Sequence, residues 1–377
     1  MSYEVRTVQD IAAVDPAEWD ALVDPDDLQA SHRFVTVCQR SGVEDADYRH
    51  VLVYDGAQPV AIASFSRMDA RLDLLAWRPL RALAARIRRR RPRFLRLPVA
   101  FCGLPVSFGR SCLRIRPGAD RPAIVHLMAG ALEAWAADTS ARLLCFKEYT
   151  DGEAVVLEPL RARGYLRAAS LPSARLTLRW PTLDAYVRAM RAGYRRQVRA
   201  GLEARRAQQL RVRVLEDFGP ECQRLFGLYG QVMDRAEFQL ERLNLEFFRR
   251  LNQDLGPASS AILVQRGDAL LAAAIVLRTP HTASFLLAGI DYATNREAHA
   301  YVNAVVEVVA EAMRHGVTEL DLGQTSYALK GRLGAALSGR WLFLKDRGVL
   351  RHALLRAGSG LLFPAVRVTP RRVFRSA

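Results

Sequence analysis

Three lysines stand among 55 basic residues: Lys147, Lys330 and Lys345. Lys330 closes the run Leu320-Asp-Leu-Gly323-Gln-Thr-Ser-Tyr327-Ala-Leu-Lys330. An ammonium just beyond the end of a strand could hold a phosphate or steady a tetrahedral oxyanion. Tyr327, three residues earlier, would share a helical face with it and could protonate a leaving group or orient a nucleophile. Asp321 and Gln324 flank the strand's C-terminal end, where polar side chains of α/β sheets line ligand crevices. Asp321 could take a proton from an attacking amine or cap the following turn, and Gln324 would contact substrate. A second group follows Tyr194. Arg195, Arg196 and Arg199 suit bidentate contact with phosphate or carboxylate, and the i, i+4 spacing puts Arg195 and Arg199 on one helical face. Lys147, followed by Glu148, is the third candidate.

Other chemistries lack their residues. There is no nucleophile elbow, P-loop or dinucleotide fingerprint. No two of the seven histidines stand at i, i+3 or i+4, and Cys38, Cys102, Cys112, Cys145 and Cys222 have no C-x-x-C spacing. These cysteines read as buried thiols, with no metal and no disulfide framework expected.

The elements that must position the candidates come in two copies. Val51–Arg67 aligns without gaps with Ile262–Arg278 at an offset of 211, and each reads as a β-hairpin turning at a glycine, Gly56 or Gly267. Pro122–Glu148 and Ala300–Gln324 each read as an apolar helix followed by a strand, at an offset of 176. The difference of 35 residues is an insertion between Arg67 and Pro122, where the arginine-rich stretch Arg78–Pro98 lies. Helices are expected before each hairpin, over Trp19–Arg40 and over Cys222–Met233 and Leu243–Leu255. A strand is expected over Ala174–Arg179. In this matching Lys147 and Glu148 correspond to Gly323 and Gln324.

Helix, hairpin, helix and strand, repeated, resembles the GNAT acyltransferase superfamily, in particular its double-GNAT, FemAB-related branch with the Acetyltransf_6-type proteins. Four places carry the resemblance: Trp19-Asp-Ala-Leu with Ser31 and Phe34; Gly164-Tyr165 with Ser170-Leu-Pro172; Asp184-Ala-Tyr186 leading into Tyr194–Arg199; and the Asp321-to-Lys330 run with Gly334. It implies an α/β fold of tandem GNAT-like domains, two mixed sheets flanked by helices. The expected division is 1–172 with a basic insertion at about 68–115, then 173–345 with the active site, then a basic amphipathic tail over 346–377. It also implies transfer of an acyl group from a thioester, acyl-CoA or acyl carrier, to an amine of a small-molecule or cell-envelope acceptor. The alternatives are a FemAB-like aminoacyl-tRNA-dependent transferase and a non-catalytic scaffold. One departure is plain. The glycine-rich pyrophosphate loop of ordinary acetyl-CoA enzymes would fall at Asn295–Ala300 and near Gly118–Pro122, and neither segment carries it.

Charge adds a partner class. Residues 67–96 hold 11 arginines against two aspartates, and 340–377 hold nine bases against one acid, within a net charge of +16. As helices, Arg78–Arg96 and the tail, with Trp77, Leu354 and Leu361, would suit an anionic membrane surface. tRNA is the alternative anionic partner, and no DNA is expected. No apolar run reaches the ~18 residues of a bilayer span, and Glu4, Arg6 and Asp10 do not fit a signal peptide. The expected place is the cytoplasm, peripheral at the inner face of the membrane.

Overall fold

The hairpin repeat is where the two halves of the fold begin. In the computed structural model, which describes residues 3–73, 76, 78–236, 241–366 and 369–375, the strands are β1 (Tyr3–Val8), β2 (Asp47–Asp55), β3 (Gln58–Arg71), β4 (Arg96–Cys102), β5 (Leu113–Ile115), β6 (Leu143–Tyr149), β7 (Leu166–Ala169), β8 (Ser173–Thr177), β9 (Arg211–Leu215), β10 (Ser259–Arg266), β11 (Ala269–Arg278), β12 (Thr282–Ile290), β13 (Glu319–Asp321), β14 (Ala336–Ser338) and β15 (Trp341–Asp346). β2–β3 and β10–β11 are the repeated hairpins. Gly56 and Gly267 turn them with φ of 60° and 56°, a conformation that favours glycine. The equivalence extends to irregularities: the register shifts at Val53/Tyr54 in one hairpin and at Val264/Gln265 in the other.

Each hairpin belongs to its own mixed sheet. The first runs β1-β2-β3-β4-β6-β15-β7, with β5 beside β3; the second runs β9-β10-β11-β12-β13-β8-β14. In each, a single parallel pair sits at the centre, β4 with β6 and β12 with β13. Two compact units result: 1–172 with 238–243 and 339–367, and 173–237 with 244–338 and 368–377. The boundary expected at 345 therefore cuts through β15, which pairs with β6 and β7 in the first sheet.

Helices cover the sheets where their apolar faces require it. In chain order we label α1 (His32–Ser41), α2 (Arg78–Arg88), α3 (Arg121–Asp138), α4 (Ala192–Ala207), α5 (Cys222–Arg235), α6 (Leu245–Leu255), α7 (Ala300–Arg314), α8 (Tyr327–Arg332) and α9 (Val349–Leu362). α3 buries Ile124, Val125, Met128, Leu132 and Trp135 in the first core. α7 buries Val305, Val306, Val308, Val309 and Ala312 in the second. Each such valine contributes about 1.5–3 kcal/mol relative to leaving it in water. The single helix expected over Trp19–Arg40 is instead broken. A short helix, Pro16–Asp20, is capped by Asp15, and α1 starts afresh at Ser31, whose hydroxyl accepts from Phe34 N.

The insertion expected at about 68–115 is smaller than that, because β3 reaches Arg71 and both β4 and β5 join the sheet. The true excursion is the connection carrying α2, and helix does not extend to Arg96, since β4 begins there. Arg88 turns inward, its guanidinium bonding the buried Asp73 at 2.6 and 2.8 Å. Trp77, expected on the apolar side of this stretch, lies outside the described residues. The stretch 346–377 is not a free tail either. α9 packs Leu355 against the first sheet, and Val373 and Phe374 join the second core, with the Phe374 ring tilted against Trp180 and Tyr186. All five cysteines are buried and unpaired. Among the described residues no helix is long and apolar enough to cross a membrane.

Candidate active site and a second cleft

Short parallel pairs leave strand ends free to carry loops where the strands part, and each sheet has one such pair at its centre. In the second, β12 and β13 pair only over Thr282–Ser284 and Glu319–Asp321. β12 then continues to Ile290 while the chain leaves β13 in a tight turn. Asp321 shapes that turn. Its Oδ1 accepts from Ser173 Oγ at 2.5 Å and from Gly323 N at 2.7 Å. Its Oδ2 lies 3.7 Å from Arg175 Nε. Gly323 has φ +73° and lies so close to the Phe285 carbonyl that a Cβ would sit 3.4 Å from it. Thr325 and Ser326 follow, also left-handed.

Lys330 reaches back under this turn. Its Nζ donates to the carbonyls of Gly323 at 3.2 Å and Gln324 at 2.8 Å. Only 4% of the residue is exposed. Burial lowers its pKa to about 7, opposed by the charge of Asp321. The ammonium expected to face a ligand donates here to two backbone carbonyls. Tyr327 also turns inward, packing partly buried against the second core, and burial pushes its hydroxyl up to about 12. Gln324 is half-buried beside it. The three arginines do not converge. Arg195 donates to the Arg188 carbonyl at 3.2 Å, while Arg196 and Arg199 are exposed on α4.

The segments where a pyrophosphate loop was missing are closed by the chain itself. Asn295 Oδ1 accepts from Tyr301 N at 2.8 Å, satisfying the first turn of α7. Asp120 accepts from Ala123 N at 3.1 Å at the start of α3. A carboxylate cap disfavours a diphosphate at the same helix end.

In the first sheet β4 and β6 pair from Val99↔Leu143 to Cys102↔Phe146. Lys147 follows, and its stem crosses Gly103, where a Cβ would come within 2.8 Å of Lys147 Cγ and Cε. Lys147 Nζ lies 5.4 Å from the centre of the Phe101 ring. Unlike Lys330, Lys147 lines a cleft of about 160 Å³, together with Glu148, Glu241, Glu44 and Ser107. Glu148 is buried, adopts φ +68° and accepts from the Ser107 hydroxyl. Gln29 orders the same loop, its Oε1 accepting from Phe108 N at 2.9 Å. Burial, with Glu148 and Glu44 nearby, pushes Glu241 up to about 8 against the pull of Lys147. Glu241, Ser107 and Gly103 were not among the sequence candidates. Only the uncharged, glycine-containing stretch Leu97–Gly109 hinted at this loop. Among the described residues no cluster of three or more His, Cys, Asp or Glu could hold a metal ion.

A central parallel pair whose strands part, in two sheets of matching strand order, defines a tandem GNAT fold. Residues 188–331, which lie in the second unit, match the acetyltransferase (GNAT) domain. Solved structures share the fold. FemX matches at TM-score 0.59 and 12% identity, over 93% of this chain and 100% of its own. The C-terminal domain of a putative lysylphosphatidylglycerol synthetase from Agrobacterium fabrum matches at 0.55 and 14%, over 95% and 100%. A tandem GNAT protein from the clavulanic acid biosynthesis pathway matches at 0.53 and 13%, over 92% and 99%. No curated protein matches the chain in sequence.

Proposed function

We propose that the second unit transfers an acyl group from a thioester, acyl-CoA or an acyl carrier, to the amine of a small-molecule or cell-envelope acceptor, where β12 and β13 part beyond Ser284 and Asp321. The observation that carries this is the GNAT domain match ending at Gly331, which takes in the whole Asp321–Lys330 turn. The amine nitrogen bonds the carbonyl carbon, the C–S bond breaks, and the amine's proton passes through water to the leaving thiolate. Holding both reactants there supplies most of the rate. Asp321 and Lys330 are positioning residues that keep the turn in shape, and Tyr327 packs behind them. Gln324 borders the substrate, and Arg196 and Arg199, exposed on α4, meet a phosphate-bearing donor.

A second reading has its own support. Asn295 and Asp120 occupy the helix ends where a CoA diphosphate would otherwise bind, and the fold is shared with a putative lysylphosphatidylglycerol synthetase, a name that states lysyl transfer to a phospholipid. These favour an aminoacyl ester, carried on tRNA, as donor. The partner surface proposed for either reading is an anionic membrane. α9 exposes Leu350, Leu354 and Leu361 at 75%, 64% and 60%, with Arg351 and Arg356 beside them, and α2 adds Arg81 and Arg86. Such a helix lies in an anionic interface.

Native mass spectrometry of protein from its own host at low salt tests the donor. A bound acyl-CoA mass, with thiol released on adding amines, supports the thioester reading. A tRNA-sized mass lost at high salt supports the second. Neither mass, and no thiol release with a panel of amines, overturns both.

A further inference from the structure

β6 carries a bulge at its charged end. Phe146 pairs with Phe343 of β15 and Tyr149 pairs with Trp341, so Lys147 and Glu148 together stand opposite the single residue Leu342. Regular alternation would send two successive strand residues to opposite faces. A bulge re-aims one of them, and Glu148 adopts φ +68° in doing so, a conformation costly for any residue but glycine. Lys147 and Glu148 consequently line one and the same cleft of the first unit.

Each of the pair lacks a counter-group. The Lys147 stem is laid across Gly103, where a Cβ would come within 2.8 Å of it. Its Nζ stands 5.4 Å from the centre of the Phe101 ring and has no carboxylate or carbonyl partner among the described residues. Glu148 is only 6% exposed. One of its oxygens accepts from the Ser107 hydroxyl, and the other has no donor among the described residues. A carboxylate so buried is ordinarily paired. Glu44 and Glu241 line the cleft as well. Glu44 already accepts from Arg242 N at 2.6 Å. Burial pushes Glu241 up to about 8, which leaves it largely uncharged at neutral pH.

The floor beside these charges is apolar. Val99 and Phe101 of β4 stand opposite Leu143 and Cys145 of β6, and Leu344 of β15 stands opposite Cys145 on the other side. The cleft holds about 160 Å³. One water takes about 10–15 Å³ of such space, so about ten non-hydrogen atoms fit, the size of leucine or methionine.

We propose that this cleft binds one free α-amino acid with an apolar side chain. Its carboxylate meets Lys147 Nζ, its ammonium meets Glu148, and its side chain lies on the floor of Val99, Phe101 and Leu344. A zwitterion supplies both missing counter-groups at once, which a simple amine or a simple carboxylate does not. The excess of carboxyl groups around Lys147 disfavours the simple carboxylate most. The site is independent of transfer in the second unit, so its test needs no turnover.

L-Leucine, L-leucinamide and isocaproate share one side chain and carry both charges, the ammonium alone and the carboxylate alone. Each is titrated calorimetrically against the full-length protein at neutral pH. One leucine per chain is expected, with leucinamide at least tenfold weaker and isocaproate weaker still. Free lysine, whose side chain ends in a charge, should also bind at least tenfold more weakly than leucine. In Lys147→Met, leucine should fall to the level of leucinamide, whose own affinity stays within about twofold. In Glu148→Gln, leucine should fall at least tenfold while isocaproate does not weaken. Circular-dichroism melting checks that both variants fold as the unsubstituted protein does. Should Glu148→Gln melt early, Lys147→Met with leucine and leucinamide carries the comparison. No binding of leucine, methionine or phenylalanine, equal affinity for the three leucine compounds, or unchanged leucine affinity in Lys147→Met overturns the site.

Discussion

Two lysines stand where parallel strands part, and they have been put to opposite uses. In the second unit Lys330 is buried beneath a turn and spends its donors on the Gly323 and Gln324 carbonyls. In the first, Lys147 lies across Gly103 and borders an open cleft. The same sheet geometry therefore yields a braced turn in one unit and a lined pocket in the other. A lysine at a strand end is not by itself a ligand-facing cation. Where its donors go decides its role.

The sharpest way to break this contrast is to remove each ammonium while keeping its stem. Lys330→Met leaves two buried carbonyls without donors. It should lower unfolding free energy by about 1.5–3 kcal/mol and reduce transfer at least a hundredfold. Lys147→Met should change stability by less than about 1 kcal/mol. Urea titration and thiol release measure both, and equal losses of stability would end the distinction.

The glycines beneath the lysines come next. Gly323→Ala and Gly103→Ala each place a side chain at positive φ, at a cost of about 1–2 kcal/mol. Only Gly103→Ala must also move a lysine stem, so it alone should alter leucine binding while Gly323→Ala alters transfer. Chemical denaturation paired with the two assays separates them.

Much of this pattern was legible beforehand. The hairpin repeat, the helix–strand repeat and the insertion point all follow from apolar periodicity and two turn glycines, because those signals are local. The Asp321–Lys330 run was legible as a place but not as a mechanism, since the direction of the Lys330 side chain depends on a turn with Gly323, Thr325 and Ser326 all left-handed. The strand exchange at β8 and β15 was hidden because it is a matter of partners rather than of patterns. Glu241 was hidden for a related reason: it lies far along the chain from Lys147, and no spacing rule joins them.

Acid–base behaviour sharpens the comparison further. Lys330 has a folded pKa of about 7, below its usual 10.5. Its contribution to stability is present above 10.5 and is lost as pH falls through 7. Glu241 has a folded pKa of about 8, above its usual 4.5. Its contribution is present below 4.5 and is lost as pH rises through 8. Urea midpoints between pH 5 and 10 should show Lys330→Met flattening the rise with pH and Glu241→Gln flattening the fall. Unchanged profiles in both variants would contradict the burial assigned to these groups.

The smallest effect is expected at the surface of α4. Arg196→Ala with Arg199→Ala should leave stability within about 0.5 kcal/mol and weaken a phosphate-bearing donor severalfold. The weakening should fade as salt is raised, as binding titrations at two ionic strengths would show.

The place of β15 in the first sheet has a consequence during synthesis. β6 and β7 flank the slot that β15 fills, yet 346 is the last residue of that strand and 166 the first of β7. At roughly 5–20 residues per second, a ribosome takes on the order of 10–40 s to make the stretch between them. Throughout that interval the nascent first unit carries two unpaired strand edges, which invite pairing with other chains. A chaperone covering those edges, or a pause-free message over this stretch, would matter more to the yield of this protein than to one whose domains close in order.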